Sequence, residues 1–125
     1  MIAGIGIDIV NINRIIEGYN KFGNKFLKKI FTEKEIEYCS QRASAFEHYA
    51  GKFSVKEAFM KAVGAGIRQG VWFKDIEILN KETQQPFINV YNKAAVYLAK
   101  LGSPQIHISI THTHDNAAAI VILEK

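Results

Sequence analysis

Apolar residues follow two different periods along this chain, and the changes between them mark the predicted elements. Five stretches predict strands: a mostly apolar, β-branched run over 2–10, shorter runs at about 75–80 and 87–91, and alternating runs over 105–111 and 117–123. Polar turn residues separate the members of the later pairs. The pairs therefore predict hairpins and a mainly antiparallel sheet.

Between these strands the apolar spacing changes to that of helices. Helices are predicted over 12–30, from about Ser44 to Val63, and over 91–101. Thr32 and Glu35 are spaced as a capping box, which predicts a short helix that runs through about Cys39. The segment from 67 to 73 is expected to be an irregular loop. The order βαααββαββ predicts the α+β fold class.

Composition narrows the class of protein. A chain of 125 residues has the size of one ordinary domain, so we expect a single domain over 1–125. Its 48% hydrophobic and 22% charged residues are typical of a globular protein. The net charge of +4 favours anionic partners, namely nucleic acid, phosphorylated small molecules or an acidic protein.

Several common sites and segments are not expected in this chain. Cys39 is the only cysteine, so neither a disulfide framework nor a thiolate zinc cluster is predicted. No basic leader precedes the first apolar run, which Asp8 interrupts. We therefore expect neither a signal peptide nor a membrane span, and we expect a cytoplasmic location.

Asp8 is an acid within an otherwise apolar strand. Strand alternation places Gly4, Gly6 and Asp8 on one face and three isoleucines on the other. Two glycines and an acid on one face predict a surface that is left open for a ligand. The alternative is an acid near a strand end that accepts backbone donors.

Glu57 lies in the predicted helix over 44–63 and permits three interpretations. It could close a capping box with Ser54, or it could pair with Lys61 at i,i+4. The apolar residues around Glu57 instead favour a buried, functional acid. If Glu57 meets Asp8, their oxygens form a pair suited to Mg²⁺, and the neighbouring lysines would receive the phosphates that such a metal carries.

The predicted helix over 12–30 has an almost purely cationic side. Five basic residues fall within about 100° of arc, and Glu17 is the only acid of the helix: Arg14, Lys21, Lys25, Lys28 and Lys29. Such a face is either an ordinary solvated surface or a docking surface for an acidic helix or a phosphate backbone.

The C-terminal hairpin gathers hydroxyl and imidazole groups. His107, Ser109 and Thr111 share one strand face, and His112 and His114 lie in the turn. The two turn histidines could bind zinc, but only Asp115 is nearby as a third ligand. The turn could instead hydrogen-bond a phosphate or a base, or it could be an ordinary polar loop.

Six segments together resemble one family. They are Gly4–Val10 followed by Arg14, Phe31-Thr-x-x-Glu35, Phe53–Ala62 followed by Gly64, Trp72–Glu77, Gln85-Pro86, and Ile108–His112. Over essentially the whole chain, this order and spacing is similar to that of the small phosphopantetheinyl transferases of the holo-acyl-carrier-protein synthase type. The resemblance implies their fold, in which a mainly antiparallel sheet packs against a long helix.

The resemblance also implies an activity and a set of site residues. The family transfers the phosphopantetheine arm of coenzyme A to a serine of acyl carrier protein and releases adenosine 3′,5′-bisphosphate. By that resemblance Asp8 and Glu57 are the Mg²⁺ ligands, and Lys61 stabilises the developing charge. The implied coenzyme A contacts are Lys52, Lys61, Gly64, Pro86, Thr111 and His112, with Lys52 beside the nucleotide phosphates.

The resemblance finally implies partners. The cationic side with Arg14, Lys21, Lys25 and Lys28 matches the surface that receives the acidic carrier protein. The family forms trimers with active sites between subunits, so a homotrimer is implied. Two other functions remain open from the residues alone. One is a basic nucleic-acid-binding module, although the chain lacks the interleaved aromatic and basic residues of a stacking platform and we expect no nucleic-acid partner. The other is a magnesium-dependent nucleotide hydrolase.

Overall fold

Five strands and five α-helices form the α+β fold class that the sequence predicts, with one helix more than predicted between the first two strands. The computed structural model describes residues 1–125. The elements are β1 (Ile2–Asn11), α1 (Ile12–Phe22), α2 (Asn24–Ile30), α3 (Glu33–Ser40), α4 (Ala45–Val63), β2 (Ile76–Asn80), β3 (Pro86–Val90), α5 (Asn92–Lys100), β4 (Gln105–His112) and β5 (Asn116–Glu124). Instead of an irregular loop, short 3₁₀ turns over Ile67–Gln69 and Phe73–Asp75 join α4 to β2.

All strand pairs are antiparallel, as predicted, but they form two sheets rather than one. The larger sheet has the order β1-β5-β4, and the smaller one pairs β2 with β3. In the larger sheet Ile9 lies opposite Ala118, which lies opposite Thr111. The long helix α4 packs on one face of this sheet, which confirms the predicted arrangement of sheet and helix.

The single helix predicted over 12–30 is wrong, because the chain breaks at Gly23. Gly23 has φ 63° and ψ −144°, a conformation that favours glycine, and it separates α1 from α2. The ring of Phe26 in α2 lies against Gly18 of α1, where an added Cβ would be 2.3 Å from the ring. The second helix therefore folds back on the first instead of continuing it.

Gly4 and Gly6 allow α4 to touch β1. A Cβ at Gly4 would lie 2.2 Å from the carbonyl oxygen of Ala62, and one at Gly6 would lie 1.9 Å from that of Ala58. The helix backbone therefore fills the glycine face of β1. The prediction that this face is open for a ligand is wrong at both glycines, and Asp8 alone extends beyond the contact.

The two capping boxes that the sequence suggests have different outcomes. Thr32 and Glu35 form the predicted box at the start of α3. The box proposed for Ser54 and Glu57 does not exist, because α4 begins at Ala45 and Ser54 lies within it. The hydroxyl of Ser54 donates to the carbonyl of Ala50 at 3.0 Å, which is a helix-interior bond.

Two clusters of buried apolar side chains hold these elements together. One joins α4 to β5 and β2 around Phe59, Val121 and Ile76. The other joins α1, α2 and α3 to the first half of α4 around Phe31 and Leu27. No helix is both long and apolar enough to cross a membrane.

Candidate active site

Asp8 of β1 and Glu57 of α4 lie close together beside the glycine contact. Lys61, one turn after Glu57, donates to the carbonyl of Ile7 at 2.9 Å and to Oδ1 of Asp8 at 3.3 Å. The side chain of Asp8 is only 16% exposed, whereas that of Lys61 is 56% exposed. The simple pair of Glu57 with Lys61 is therefore replaced by a bond that joins α4 to β1.

The charge of the acid pair is only partly neutralised within the chain. Burial, and then the nearby carboxylate of Asp8, raise the pKa of Glu57 above its usual value, although Lys61 and Arg14 act in the opposite direction. The pKa of a carboxyl group is raised in this way when the group is desolvated and lies beside a like charge. The site would therefore gain most from a cation that binds both carboxylates.

The donor set of this acid pair fits Mg²⁺. No group of three or more His, Cys, Asp or Glu side chains is placed to hold a metal ion, so Asp8 and Glu57 have no third side chain of these types beside them. Mg²⁺ usually takes one or two carboxylates and fills its other positions with water and substrate phosphates. Two carboxylates beside an exposed lysine have this chemistry.

A shallow depression opens next to the acid pair at the C-terminal end of α4. Its volume is about 360 Å³, and its lining includes Glu57, Lys61, Gly64, Gly66 and Ile67. Gly64 ends α4 at φ 74°, where a side chain would be strained. We call this region, together with Asp8, the acidic depression.

A second depression contains the predicted residues Pro86 and His112. Its volume is about 540 Å³, and it is also lined by Tyr38, Arg42 and His48. The guanidinium of Arg42 lies 3.9 Å above the centre of the Tyr38 ring. Nδ1 of His112 lies 3.6 Å from a carboxylate oxygen of Glu47. We call this region the histidine depression.

The two depressions lie in different parts of the molecule and have no lining residue in common. His48 and Glu57 are both on α4, and nine residues of helix separate them by about 13 Å along the axis. Thr111 lies on the other face of the larger sheet, in register with Ala118 and Ile9. The site residues predicted by resemblance therefore form separate groups within one chain: Lys52, Pro86 and His112 line one depression, and Glu57, Lys61 and Gly64 line another.

Lys52, predicted beside the nucleotide phosphates, points into the protein. It is 4% exposed, and its ammonium donates to the carbonyl of Ile78 at 2.7 Å and to Oδ1 of Asn80 at 2.9 Å. Burial lowers its pKa. An ammonium bound in this way is a poor phosphate ligand.

Lys56 was left without a role by the sequence, yet it is fully buried. Its ammonium donates to Glu35 and to the carbonyls of Phe73 and Ile76. The partner Glu35 is also fully buried, and the two side chains form an ion pair at 2.9 Å. Burial lowers the pKa of Lys56, and the carboxylate of Glu35 opposes that effect. The sequence signal was a lysine among apolar helix neighbours.

The basic residues of α1 and α2 are exposed, as predicted for a cationic surface, but they lie on two helices. Arg14 and Lys21 belong to α1, and Lys25 and Lys28 belong to α2. Phe22 is 59% exposed at the corner between these helices. Since the charge of Arg14 affects the pKa of Glu57, this surface begins beside the acidic depression.

On the face of the larger sheet opposite α4, the part formed by β1 and β5 is apolar and uncovered, whereas β4 contributes polar side chains beside it. On β1 the side chains of Ile5, Ile7 and Ile9 are 60%, 65% and 68% exposed. Ile120 and Ile122 of β5 lie beside them in register. Contiguous exposed apolar side chains of this kind mark an interaction surface.

Comparison with known proteins gives the class of this fold and site. The family model of the 4′-phosphopantetheinyl transferase superfamily matches residues 4–121. The chain is 44% identical over 124 residues to a holo-(acyl-carrier-protein) synthase of Syntrophus aciditrophicus, covering 99% of this chain and 97% of that one. The chain therefore belongs to the 4′-phosphopantetheinyl transferase superfamily and, within it, to the holo-(acyl-carrier-protein) synthase family.

Solved structures agree with this assignment. The fold is similar to that of a holo-(acyl-carrier-protein) synthase from Neisseria meningitidis, with a TM-score of 0.90, 36% identity and complete coverage of both chains. It is also similar to a synthase from Helicobacter pylori solved in complex with coenzyme A, with a TM-score of 0.80, 33% identity and coverage of 96% and 99%.

Proposed function

We propose that this chain transfers the 4′-phosphopantetheine group of coenzyme A to a serine of apo acyl carrier protein. The serine oxygen forms a bond to the phosphorus that carries the pantetheine arm, and the bond from that phosphorus to the bridging oxygen breaks. Adenosine 3′,5′-bisphosphate leaves. The observation that carries this proposal is the meeting of Asp8, Glu57 and Lys61 in a chain of this family.

In this proposal Asp8 and Glu57 hold Mg²⁺, which when bound neutralises charge on the pyrophosphate of coenzyme A. Lys61 is exposed beside the two acids, so its ammonium can leave Asp8 and stabilise the departing bisphosphate. Gly64 leaves room for the substrate at the end of α4. The serine proton passes to one of the two carboxylates or to a neighbouring water.

We further propose that the nucleotide end of coenzyme A contacts Pro86, Thr111 and His112. Pro86 and His112 line the histidine depression, which also presents the guanidinium of Arg42 for an anionic group. In this proposal Lys52 does not contact coenzyme A directly, because its ammonium is already bonded to Ile78 and Asn80.

The separation of the two depressions favours an active site built from two chains. The acidic depression of one copy would face the histidine depression of the next. The exposed isoleucines of the larger sheet would be buried at the centre of the assembly, which removes a large apolar surface from water. Head-to-tail contacts form a closed ring when the rotation between copies closes, and the family resemblance implies a ring of three copies, so we propose a homotrimer.

The carrier protein would dock on the exposed basic residues of α1 and α2. Because this surface begins at Arg14, beside the acid pair, a docked carrier would bring its serine near the pyrophosphate. An acidic carrier complements the charge of Lys21, Lys25 and Lys28, which speeds encounter more than it adds to affinity.

Transfer is tested by incubating the protein with coenzyme A, Mg²⁺ and apo acyl carrier protein and then weighing the carrier. A mass gain equal to the phosphopantetheine arm is expected. Asp8→Ala and Glu57→Ala should each lower the rate at least about 100-fold, whereas the exposed control Glu82→Ala should not. An unchanged carrier, with an established transferase active in parallel, would refute the function.

The shared site is tested by complementation. Glu57→Ala damages only the acidic depression, and His112→Ala damages only the histidine depression. In randomly mixed oligomers about a quarter of the sites would combine two intact halves. Coexpression should therefore restore transfer above the level of either variant alone. A monomer by sedimentation, or no gain on mixing, would contradict the assembly.

Docking is tested with charge reversals. Lys25→Glu together with Lys28→Glu should weaken carrier binding roughly tenfold at low salt, with a smaller effect at high salt because ions screen the attraction. The matched control Lys93→Glu with Lys100→Glu makes the same change of net charge on α5. Equal losses for both pairs would show a nonspecific effect of net charge.

A further inference from the structure

Strand β2 has one edge that no other strand covers. The backbone of Tyr91 donates to the carbonyl of Asp75, and that of Lys81 donates to the carbonyl of Gln85. In an antiparallel pair these bonds occur at every second residue, so the backbone groups of Ile76 and Ile78 point away from β3. An uncovered edge of this kind needs hydrogen-bond partners.

Three charged side chains take the place of a neighbouring strand at this edge. Lys56 donates to the carbonyl of Ile76, Ile78 donates its N–H to Oε2 of Glu35 at 2.9 Å, and Lys52 donates to the carbonyl of Ile78. We call these three side chains the edge cluster. It bonds three successive polar groups of β2.

The edge cluster also fixes how α4 is turned about its own axis. Lys52 and Lys56 lie about 40° apart around the helix, and Glu57 and Lys61 lie about 100° and 140° further round from Lys56. The residues that touch the glycines of β1, Ala58 and Ala62, lie beyond them, at about 200° and 240°. The side of α4 that carries Glu57 and Lys61 therefore lies between the edge cluster and the glycine contact.

Each of the two contacts fixes a different property of α4. The glycines set its distance from β1, because the backbones touch. The edge cluster constrains its rotation, in addition to the apolar packing of α4, because two lysines on one side of the helix are bonded to the carbonyls of Ile76 and Ile78. A rotation of 20° would move the Glu57 carboxylate by about 2 Å, since it lies roughly 5–6 Å from the helix axis.

We infer that Lys56 and Lys52, through the edge cluster, are positioning residues that hold Glu57 at the distance from Asp8 at which both carboxylates bind one cation. This inference rests on the proposed function, since it concerns the same metal site. It gives Lys52 a role other than the phosphate contact that the resemblance implies. It also gives Lys56 and Glu35 a role in metal affinity in addition to their role in stability.

Metal affinity is measured with Mn²⁺ as the probe, by the electron paramagnetic resonance signal of the free ion, in the presence of coenzyme A. Lys56→Met should weaken Mn²⁺ binding about tenfold, the usual effect of losing a group that orients a ligand. Lys52→Met removes a smaller part of the cluster and should weaken binding roughly threefold. Circular dichroism gives the temperature range in which each variant is folded.

The matched control is Leu27→Ala, which weakens the other buried cluster without touching the edge cluster or the acids. If it loses as much Mn²⁺ affinity as Lys56→Met, the edge cluster acts only on stability and the inference fails. Unchanged Mn²⁺ affinity in folded Lys52→Met would also overturn it, even if Lys56→Met does not fold. Failure of the proposed function is distinguishable, because the unaltered chain itself would then transfer nothing.

Discussion

Helix α4 carries lysines on two of its sides, and their surroundings differ. On one side Lys52 and Lys56 are buried, and backbone carbonyls, Asn80 or Glu35 accept their hydrogen bonds. On the other side Lys61 is 56% exposed and holds Asp8 at 3.3 Å, while the pKa of Glu57 is raised beside it. The protein itself supplies all the hydrogen-bond partners of the buried lysines, whereas the charges of Asp8 and Glu57 are only partly compensated.

This difference separates charges that build the fold from charges that await a ligand. A buried charge with all its partners supplied by the protein has nothing left to offer a substrate. An acid pair with a shared lysine can still gain from a cation and a phosphate. Whether the protein supplies all the partners of a charge thus distinguishes a structural role from a ligand-binding role, although all three lysines lie within ten residues of one helix.

The largest expected effect on stability is at the buried lysines of α4. Lys56→Met leaves Glu35 as an unpaired buried carboxylate, so it should lower the free energy of unfolding by about 3–5 kcal/mol. Lys61→Met on the exposed side should change it by less than about 1 kcal/mol. Urea denaturation measures both values. Similar values for the two variants would break the comparison.

A smaller effect is expected where α4 touches β1. Gly6→Ala places a methyl group 1.9 Å from the carbonyl oxygen of Ala58, so the helix must shift and stability should fall by about 1–3 kcal/mol. In Gly66→Ala the nearest contact, the sulfur of Met60, is at an ordinary 3.7 Å, and the change should stay within about 0.5 kcal/mol. Thermal unfolding of both variants tests the close approach, and a harmless Gly6→Ala would contradict it.

The smallest expected effect on stability concerns Glu57, whose carboxylate lies beside that of Asp8. Because the pKa of Glu57 is raised above 4.5 in the fold, its contribution to stability is complete below that pH and is lost as pH rises through the folded pKa. Glu57→Gln removes this loss. Without metal the variant should therefore be more stable at neutral pH by about 0.5 kcal/mol, although it should be inactive.

Denaturation with a chelator present, at pH 4.5 and at neutral pH, measures this difference. Added Mg²⁺ should then stabilise the unaltered chain and not Glu57→Gln, because only the former keeps both carboxylates. The exposed control Glu82→Gln should show neither effect. A Glu57→Gln variant that is less stable than the unaltered chain at neutral pH would show that the acid pair is not strained.

Local patterns predicted much of this fold. Alternation predicted the strands of the C-terminal hairpin, a polar turn between two short runs predicted the other hairpin, and the spacing of Thr32 and Glu35 predicted the start of α3 to the residue. These features depend on neighbours in the chain, so the sequence displays them. The prediction that Asp8 and Glu57 meet came from residue chemistry and family resemblance, and the structure brings them together.

Features that depend on distant contacts could not be predicted in this way. The apolar period of α1 continues through Gly23 into α2, whereas in the structure the positive φ of Gly23 ends α1 and Phe26 packs back on Gly18. Lys52 is placed beside the phosphates by the family resemblance, and nothing near it in the chain shows that its partner is a carbonyl of β2. Gly4 and Gly6 looked open for the same reason.

The two depressions have a consequence for the cell that makes this chain. If each active site needs halves from two copies, a lone copy is inert, and the rate per chain depends on how many copies have associated. Dilution would dissociate the oligomer and abolish activity without any inhibitor. Newly made chains would be inactive until their concentration is high enough for association. If the exposed isoleucines drive this proposed assembly, they would also set the chain concentration at which carrier proteins begin to be activated.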